Sequence, residues 1–333
     1  MSALHPLLDR ASLYADREAW LAARPGQDRT NVGASEVANI RGVGFLSPFE
    51  FWAARQAGEP DQDIDRDLTP DLEDGEPPPT SPLSRGNRWE SVVLAEYAAV
   101  MGVEVQAAGA AFGQPGALVT VRAGAPSWAT ASPDALAFPV GAPIRGVECK
   151  TSVVPGRLWG PHGTVIRRAD DYDPAICPPG YYLQCQWQCL CLDLECVDLA
   201  VLLGSYRLRV YTIVRDDGYL RELLNDVAGW RERHLVRGEA PPIDGSEGAR
   251  AWLAQRFAAT EGERRAATEA EARLIREFAE VRAERKLAEV EEDALRNRIA
   301  LAMGPATCLY LPGEPRGVTL SAGRSRRMSV YGF

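Results

Sequence analysis

The spacing of apolar positions changes several times along this chain, and the changes mark out its elements. Between Arg88 and Met101, the residues Val93, Leu94, Tyr97 and Met101 recur at helical intervals, so the stretch reads as an amphipathic helix with Glu90 on the apolar stripe and Glu96 off it. Short apolar runs follow at Val103 to Ala107, Ala117 to Ala123, Ala135 to Pro139 and Ile144 to Thr151, and read as strands. Pro179-Gly180 opens a second helix, Tyr181 to Leu192. Two more strands, Cys196 to Leu203 and Arg207 to Val214, are split by Gly204-Ser205, and a helix over Leu220 to Arg237 ends at Gly238. Strands flanked by helices predict an α/β core.

The flanks differ in character. Up to about Arg55 the pattern is helix, turn, helix: Arg17 to Arg24 is helix-prone, Gly33-Ala34-Ser35 starts a second piece, and Pro48 to Trp52 opens another. From Gly58 to Pro82 the chain turns acidic and proline-rich, which reads as a loop or linker. From Ser246 to about Ala302 it is rich in Ala, Glu, Arg and Leu, with Leu274, Phe278, Val281, Ala288, Leu295 and Ile299 apolar, predicting a long helix or helical hairpin. Cys308 to Leu311 and Gly317 to Leu320, around Pro312-Gly313, suggest a small β-hairpin. The expected division is therefore 1–243 with an insertion at 57–84, then 244–303, then a tail at 304–333.

Composition narrows the function classes. At 333 residues and 46% apolar content the chain is long enough for one sizeable core plus an appendage, or for two domains. No apolar run approaches the roughly 20 residues of a membrane span, and Met1 to Asp16 has no signal-like pattern, so a cytoplasmic location is expected. Five of seven cysteines crowd between Cys177 and Cys196, which reads as reduced thiols rather than a disulfide framework. CxxxCxC is no usual zinc spacing and no histidine lies among them. A net charge of −9 disfavours nonspecific coating of nucleic acid but leaves room for an enzyme with a local basic groove. Three histidines and no GxxxxGK[ST] loop remove histidine-based hydrolysis and autonomous ATP hydrolysis.

Chemistry concentrates at Ser132-Pro133-Asp134 and Glu148-Cys149-Lys150. On a strand, period-two alternation puts Glu148 and Lys150 on one face and Cys149 on the other. Two carboxylates and the Cys149 carbonyl suit hard Mg²⁺, and Lys150 can orient a nucleophile. The competing reading is a solvated Glu/Lys ladder pair. Glu90, a carboxylate on an apolar stripe, is either a third acidic group near the metal or a first-turn glutamate favoured by the helix dipole. Gln184 and Gln188, four apart, share a helix face that either meets a phosphate or the attacking water, or is simply exposed.

These residues resemble the YqaJ-type viral recombinase nucleases, a PD-(D/E)xK family that includes phage lambda exonuclease. The resemblance spans roughly residues 29 to 243: Gly33-Ala34-Ser35-Glu36-Val37, Ser47-Pro48-Phe49-Glu50-Phe51-Trp52, Gly86 with Glu90, Asp134 with Glu148-Cys149-Lys150, Tyr182-Leu183-Gln184-Cys185-Gln186, and Val214-Arg215-Asp216. It implies a restriction-endonuclease-like core, a central mixed sheet flanked by helices, to which the long C-terminal helical region and small hairpin are added. It implies a Mg²⁺-dependent exonuclease, with Mn²⁺ able to substitute, that resects linear duplex DNA from 5′ to 3′ for single-strand annealing recombination. Asp134, Glu148, the Cys149 carbonyl and Glu90 would hold metal; Lys150 would orient water; Gln184 would meet the scissile phosphate. Arg29 and Ser35 would grip a terminal phosphate and Gln188 would contact the DNA phosphates, although Ser35 serves equally as a helix N-cap. Implied partners are duplex DNA with free ends, an annealing protein, and further copies of the chain, a trimer by analogy; no membrane is implied. A restriction-like or structure-specific endonuclease and a noncatalytic DNA-binding or scaffold protein are the alternatives. Departures are Ala135 where many relatives have Gly, the acidic insertion, and the C-terminal region outside the resemblance.

Overall fold

The computed structural model describes residues 5–16, 19–20, 29–57, 82–152, 159–204, 207–257, 264–314, 316–321 and 328–331. Most of Arg17 to Arg24 and the acidic stretch from Gly58 lie outside the described residues. The chain forms two compact units, residues 1–258 and 259–333.

The strands of the first unit are β1 (Ala11–Tyr14), β2 (Val32–Gly33), β3 (Glu104–Ala107), β4 (Leu118–Arg122), β5 (Ala129–Ala131), β6 (Ala135–Phe138), β7 (Arg145–Ser152), β8 (Val165–Ile166), β9 (Cys196–Leu203) and β10 (Arg207–Val214). Its helices of ten or more residues are α1 (Pro48–Ala57), α2 (Pro82–Met101), α3 (Pro179–Leu192), α4 (Asp217–Arg231) and α5 (Glu247–Arg256). Six strands make the main sheet in the order β3-β6-β7-β9-β10-β8, and a smaller sheet runs β1-β4-β5-β2. The main sheet is mixed: β7 pairs antiparallel with β6 and parallel with β9, as the α/β reading requires.

Local chemistry sets the ends of the two helices that bracket this sheet. Gly102, at φ +63°, stops α2 in the left-handed conformation that glycine adopts without steric cost. Pro179 occupies the first turn of α3, where its missing N–H breaks no helical bond, and Asp193 at φ 51° ends the helix. Strand alternation then sorts the core. Val197, Leu199 and Val201 of β9 pack with Cys185 and Cys189 of α3. Ala200 and Leu202, pointing the other way, pack with Val147 and with Val93 and Tyr97 of α2. A second layer, Val32, Ala34 and Val37, covers Leu183, Trp187 and Cys191 on the far side of α3. Helix α3 is thus enclosed all round, and Tyr182 through Cys189 are buried.

The stretch expected as one helix or hairpin from Ser246 is two helices with separate caps. Ser246 accepts from the Ala249 N–H to start α5, whose Trp252 ring packs on Phe49 and Trp52. Thr268 and Glu271 form a capping box at the start of α6 (Glu269–Met303), which belongs to the second unit. The expected terminal hairpin is present as β11 (Cys308–Tyr310) and β12 (Gly317–Leu320), extended by a third antiparallel strand, β13 (Met328–Tyr331). No helix among the described residues is long and apolar enough to cross a membrane.

Candidate active site

Strand β7 delivers Glu148 and Lys150 to the α3 side of the sheet. Glu148 is 2% exposed, so its carboxylate needs partners. Its Oε1 accepts from Lys150 Nζ at 2.5 Å and from Gln184 Nε2 at 2.7 Å, while Oε2 accepts from Gln188 Nε2 at 2.5 Å. The face of α3 that reaches this carboxylate is set by helical spacing: Tyr181, Gln184 and Gln188 fall at i, i+3 and i+7. Tyr181 brings its ring to 5.1 Å from Lys150 Nζ, a cation–π contact.

Asp134 sits immediately before β6, half-buried, with Oδ2 accepting the Cys149 backbone N–H at 2.7 Å. Burial, and then the neighbouring Glu148 carboxylate, push the Asp134 carboxyl well above the usual range, with Glu90 adding to the effect. Burial on its own lowers the Lys150 ammonium, yet Glu148 and Asp134 outweigh it and leave the group raised. Lys150 therefore stays charged. Glu90, half-buried on α2 one turn before buried Val93, lies within electrostatic reach of both Asp134 and Cys149. Glu96 is exposed.

Asp134, Glu148, Lys150 and Gln184 are thus assembled at one place, with Glu90 beside them. Gln188 is assembled there too, but it is completely buried and its amide is directed at Glu148, not at an open surface where a DNA phosphate would lie. The alternative of a simply exposed Gln face does not hold, because Gln184 and Gln188 are buried and both turn their amides to Glu148. Arg29 and Ser35 are both exposed. Ser35 lies inside a 3-10 turn, Ala34–Glu36, whose N-cap is Gly33, so Ser35 is not the cap. That turn packs against α3, the helix that carries Gln184. Buried Glu36 pairs with Arg55, which also donates to the carbonyls of Arg29 and Asn31 and so holds this segment in place. Tyr181 is the contact that sequence reading passed over, although its spacing from Gln184 and Gln188 was visible.

Among the described residues no three His, Cys, Asp or Glu side chains converge into a ready-made metal cage. The oxygen donors that could hold an ion here are the Asp134 and Glu148 carboxylates and the Cys149 backbone carbonyl. This fits Mg²⁺, which keeps several waters and takes one or two carboxylates. The free cysteines do not compete: Cys177, Cys185, Cys189 and Cys191 are packed in the core around α3.

The family model for the YqaJ-like viral recombinase domain matches residues 19–195. Among solved structures, the alkaline exonuclease LHK-Exo from Laribacter hongkongensis aligns at 18% identity over 66% of this chain and 93% of its own, with a TM-score of 0.44. LHK-Exo in complex with dAMP aligns at 19% identity over 72% of this chain and 98% of its own, with a TM-score of 0.43. SSO0001 aligns at 13% identity over 64% of this chain and 85% of its own, with a TM-score of 0.30. No curated protein matches the sequence.

Proposed function

Because this chain belongs to the YqaJ-like viral recombinase domain family, we propose that it is a divalent-metal-dependent exonuclease that hydrolyses phosphodiester bonds of linear duplex DNA, working 5′ to 3′ ahead of single-strand annealing. The observation that carries the reading is the Glu148 carboxylate: buried, held by three side-chain donors, and set beside Asp134. A pair of carboxylates brought together out of water is costly unless a cation is to be shared between them.

Asp134, Glu148 and the Cys149 carbonyl would hold the ion, with Glu90 as a further acidic group. When bound, Mg²⁺ supplies Lewis-acid polarisation of the phosphate and acidifies a water. Lys150 keeps its proton, so it acts as a charged donor and not as a base. One of its three N–H bonds is used on Glu148, and two remain to orient the attacking water and a phosphate oxygen. Gln184, anchored on Glu148 through Nε2, would steady that carboxylate and meet the scissile phosphate. Arg29 and Ser35, both exposed on the segment braced by Arg55, would take a terminal phosphate. The annealing protein and further copies of this chain are the expected partners.

The test uses purified protein with Mg²⁺, with Mn²⁺ and with chelator, on linear duplex and covalently closed circles. Loss of linear DNA alone, dependent on the ion and abolished in Asp134→Asn, is the expected result. Cutting of closed circles at a similar rate would instead make the chain an endonuclease.

A further inference from the structure

Three glutamines of α3 are buried, but their amides are used differently. Gln186 is fully satisfied by the fold: Nε2 donates to the Val214 carbonyl at 2.8 Å and the Tyr182 hydroxyl at 3.3 Å, and Oε1 accepts the Asp216 N–H at 3.2 Å. Gln188 is not. Its Nε2 reaches Glu148 Oε2, while its Oε1 is buried without a hydrogen-bond partner. A buried amide carbonyl left unmade costs free energy that an apolar side chain of similar size avoids. Core packing alone therefore gives no reason for glutamine at this position. What Gln188 contributes is its single bond to Glu148.

That bond has a geometric consequence. Lys150 and Gln184 both bind Oε1 and fill its two lone pairs, so by themselves they would let the carboxylate pivot about that oxygen. Gln188 grips Oε2 and fixes the plane, leaving one Oε2 lone pair for a ligand. We propose that Gln188 is a positioning residue, which locks the Glu148 carboxylate in the orientation that binds the divalent ion. The inference rests on the metal-site reading above and assigns Gln188 a role other than contact with DNA.

Calorimetric titration with Mn²⁺ of the full chain tests it, without relying on turnover. Gln188→Leu is expected to melt at or above the wild-type temperature, since the orphaned carbonyl is gone, yet to bind Mn²⁺ about tenfold or more weakly, the usual effect of removing a residue that orients a metal ligand. Gln186→Leu is the control on the same helix. It loses satisfied hydrogen bonds, so it lowers the melting temperature and leaves Mn²⁺ affinity intact. If Gln188→Leu does not fold, Gln188→Met keeps the length of the side chain and takes its place. Mn²⁺ affinity in the Gln188 variant within about threefold of wild type would overturn the proposal, as would equal weakening by Gln186→Leu. A wild-type protein that bound no Mn²⁺, or bound it independently of Asp134, would sink the underlying metal site instead, and the two failures are told apart by the Asp134→Asn titration.

Discussion

The backbone N–H of Cys149 donates to Oδ2 of Asp134 at 2.7 Å, across 15 positions of sequence, and so locks the two halves of the acidic motif together before any ion arrives. The bond favours the Asp134 carboxylate, but burial and Glu148 oppose it more strongly.

Asp134→Asn should therefore stabilise the ion-free protein while abolishing hydrolysis. The sign follows from linkage. Below the unfolded carboxyl value of about 3.9 both states are protonated and Asp134 carries no penalty. As pH rises from there through the raised folded value, the unfolded chain releases its proton first and stability is lost. Asparagine keeps an acceptor for Cys149 and removes that loss. Melting temperatures in chelator are expected to diverge in favour of the variant as pH increases, and a variant that melts below wild type at neutral pH would contradict the account.

Lys150 supplies charge from a compact ammonium held between Glu148 and the Tyr181 ring. Lys150→Met is expected to lower single-turnover cleavage of linear duplex by about 10²–10³, the scale seen when one preorganised donor is removed. Circular dichroism should show a native fold, because Gln184 and Gln188 still satisfy Glu148. Lys150→Arg should not restore the rate, since a planar guanidinium does not occupy the position of a point ammonium. Recovery to near wild-type rates in Lys150→Arg would show that charge alone suffices.

Much of this site was readable from period. Alternation along Arg145 to Ser152 put Glu148 beside Lys150, and the helical stripe through Val93 and Tyr97 brought Glu90 within electrostatic reach of Asp134. The burial of Gln188 was not readable, because a helical stripe identifies faces relative to one another and says nothing about a second covering layer. Here Val32, Ala34 and Val37, far away in sequence, cover the Leu183 and Trp187 side of α3, so that Gln188 is turned inward to Glu148 of β7. Strands β2 and β8 were missed for a different reason: two residues are too few to establish a period. The break between α5 and α6 lay in capping residues, Ser246 and Thr268, inside a stretch of uniform composition.

A second buried carboxylate lies on the α2 face of the same sheet. Asp198, completely buried, accepts from the Tyr97 hydroxyl at 2.6 Å, from Thr212 at 2.6 Å and from Arg145 at 3.3 Å. Tyr97→Phe should cost about 1.5–3 kcal/mol, the range for a hydrogen bond to a charged group, read as a lower midpoint in urea at unchanged slope. A change below about 0.5 kcal/mol would mean that Thr212 and Arg145 already satisfy Asp198.

The cysteines give a prediction that separates burial from reactivity. Cys308 is exposed in the second unit, Cys149 and Cys196 are half-buried, and Cys177, Cys185, Cys189 and Cys191 are buried. Burial pushes the Cys177 thiol up to about 12 and the Cys196 thiol up to about 11. Cys149 is raised strongly, first by burial and then by Asp134 and Glu148. Since the thiolate is the reacting species, each of these groups is slowed both by access and by its small ionised fraction at mildly alkaline pH. A disulfide-exchange reagent such as Ellman's should therefore find one fast thiol in the folded protein, lost in Cys308→Ser, and all seven only after denaturation. Fewer than seven in denaturant without reductant would reveal a disulfide. A second fast thiol in the native state that is lost in Cys149→Ser would mean that the carboxylates beside Cys149 do not suppress it as their charge requires.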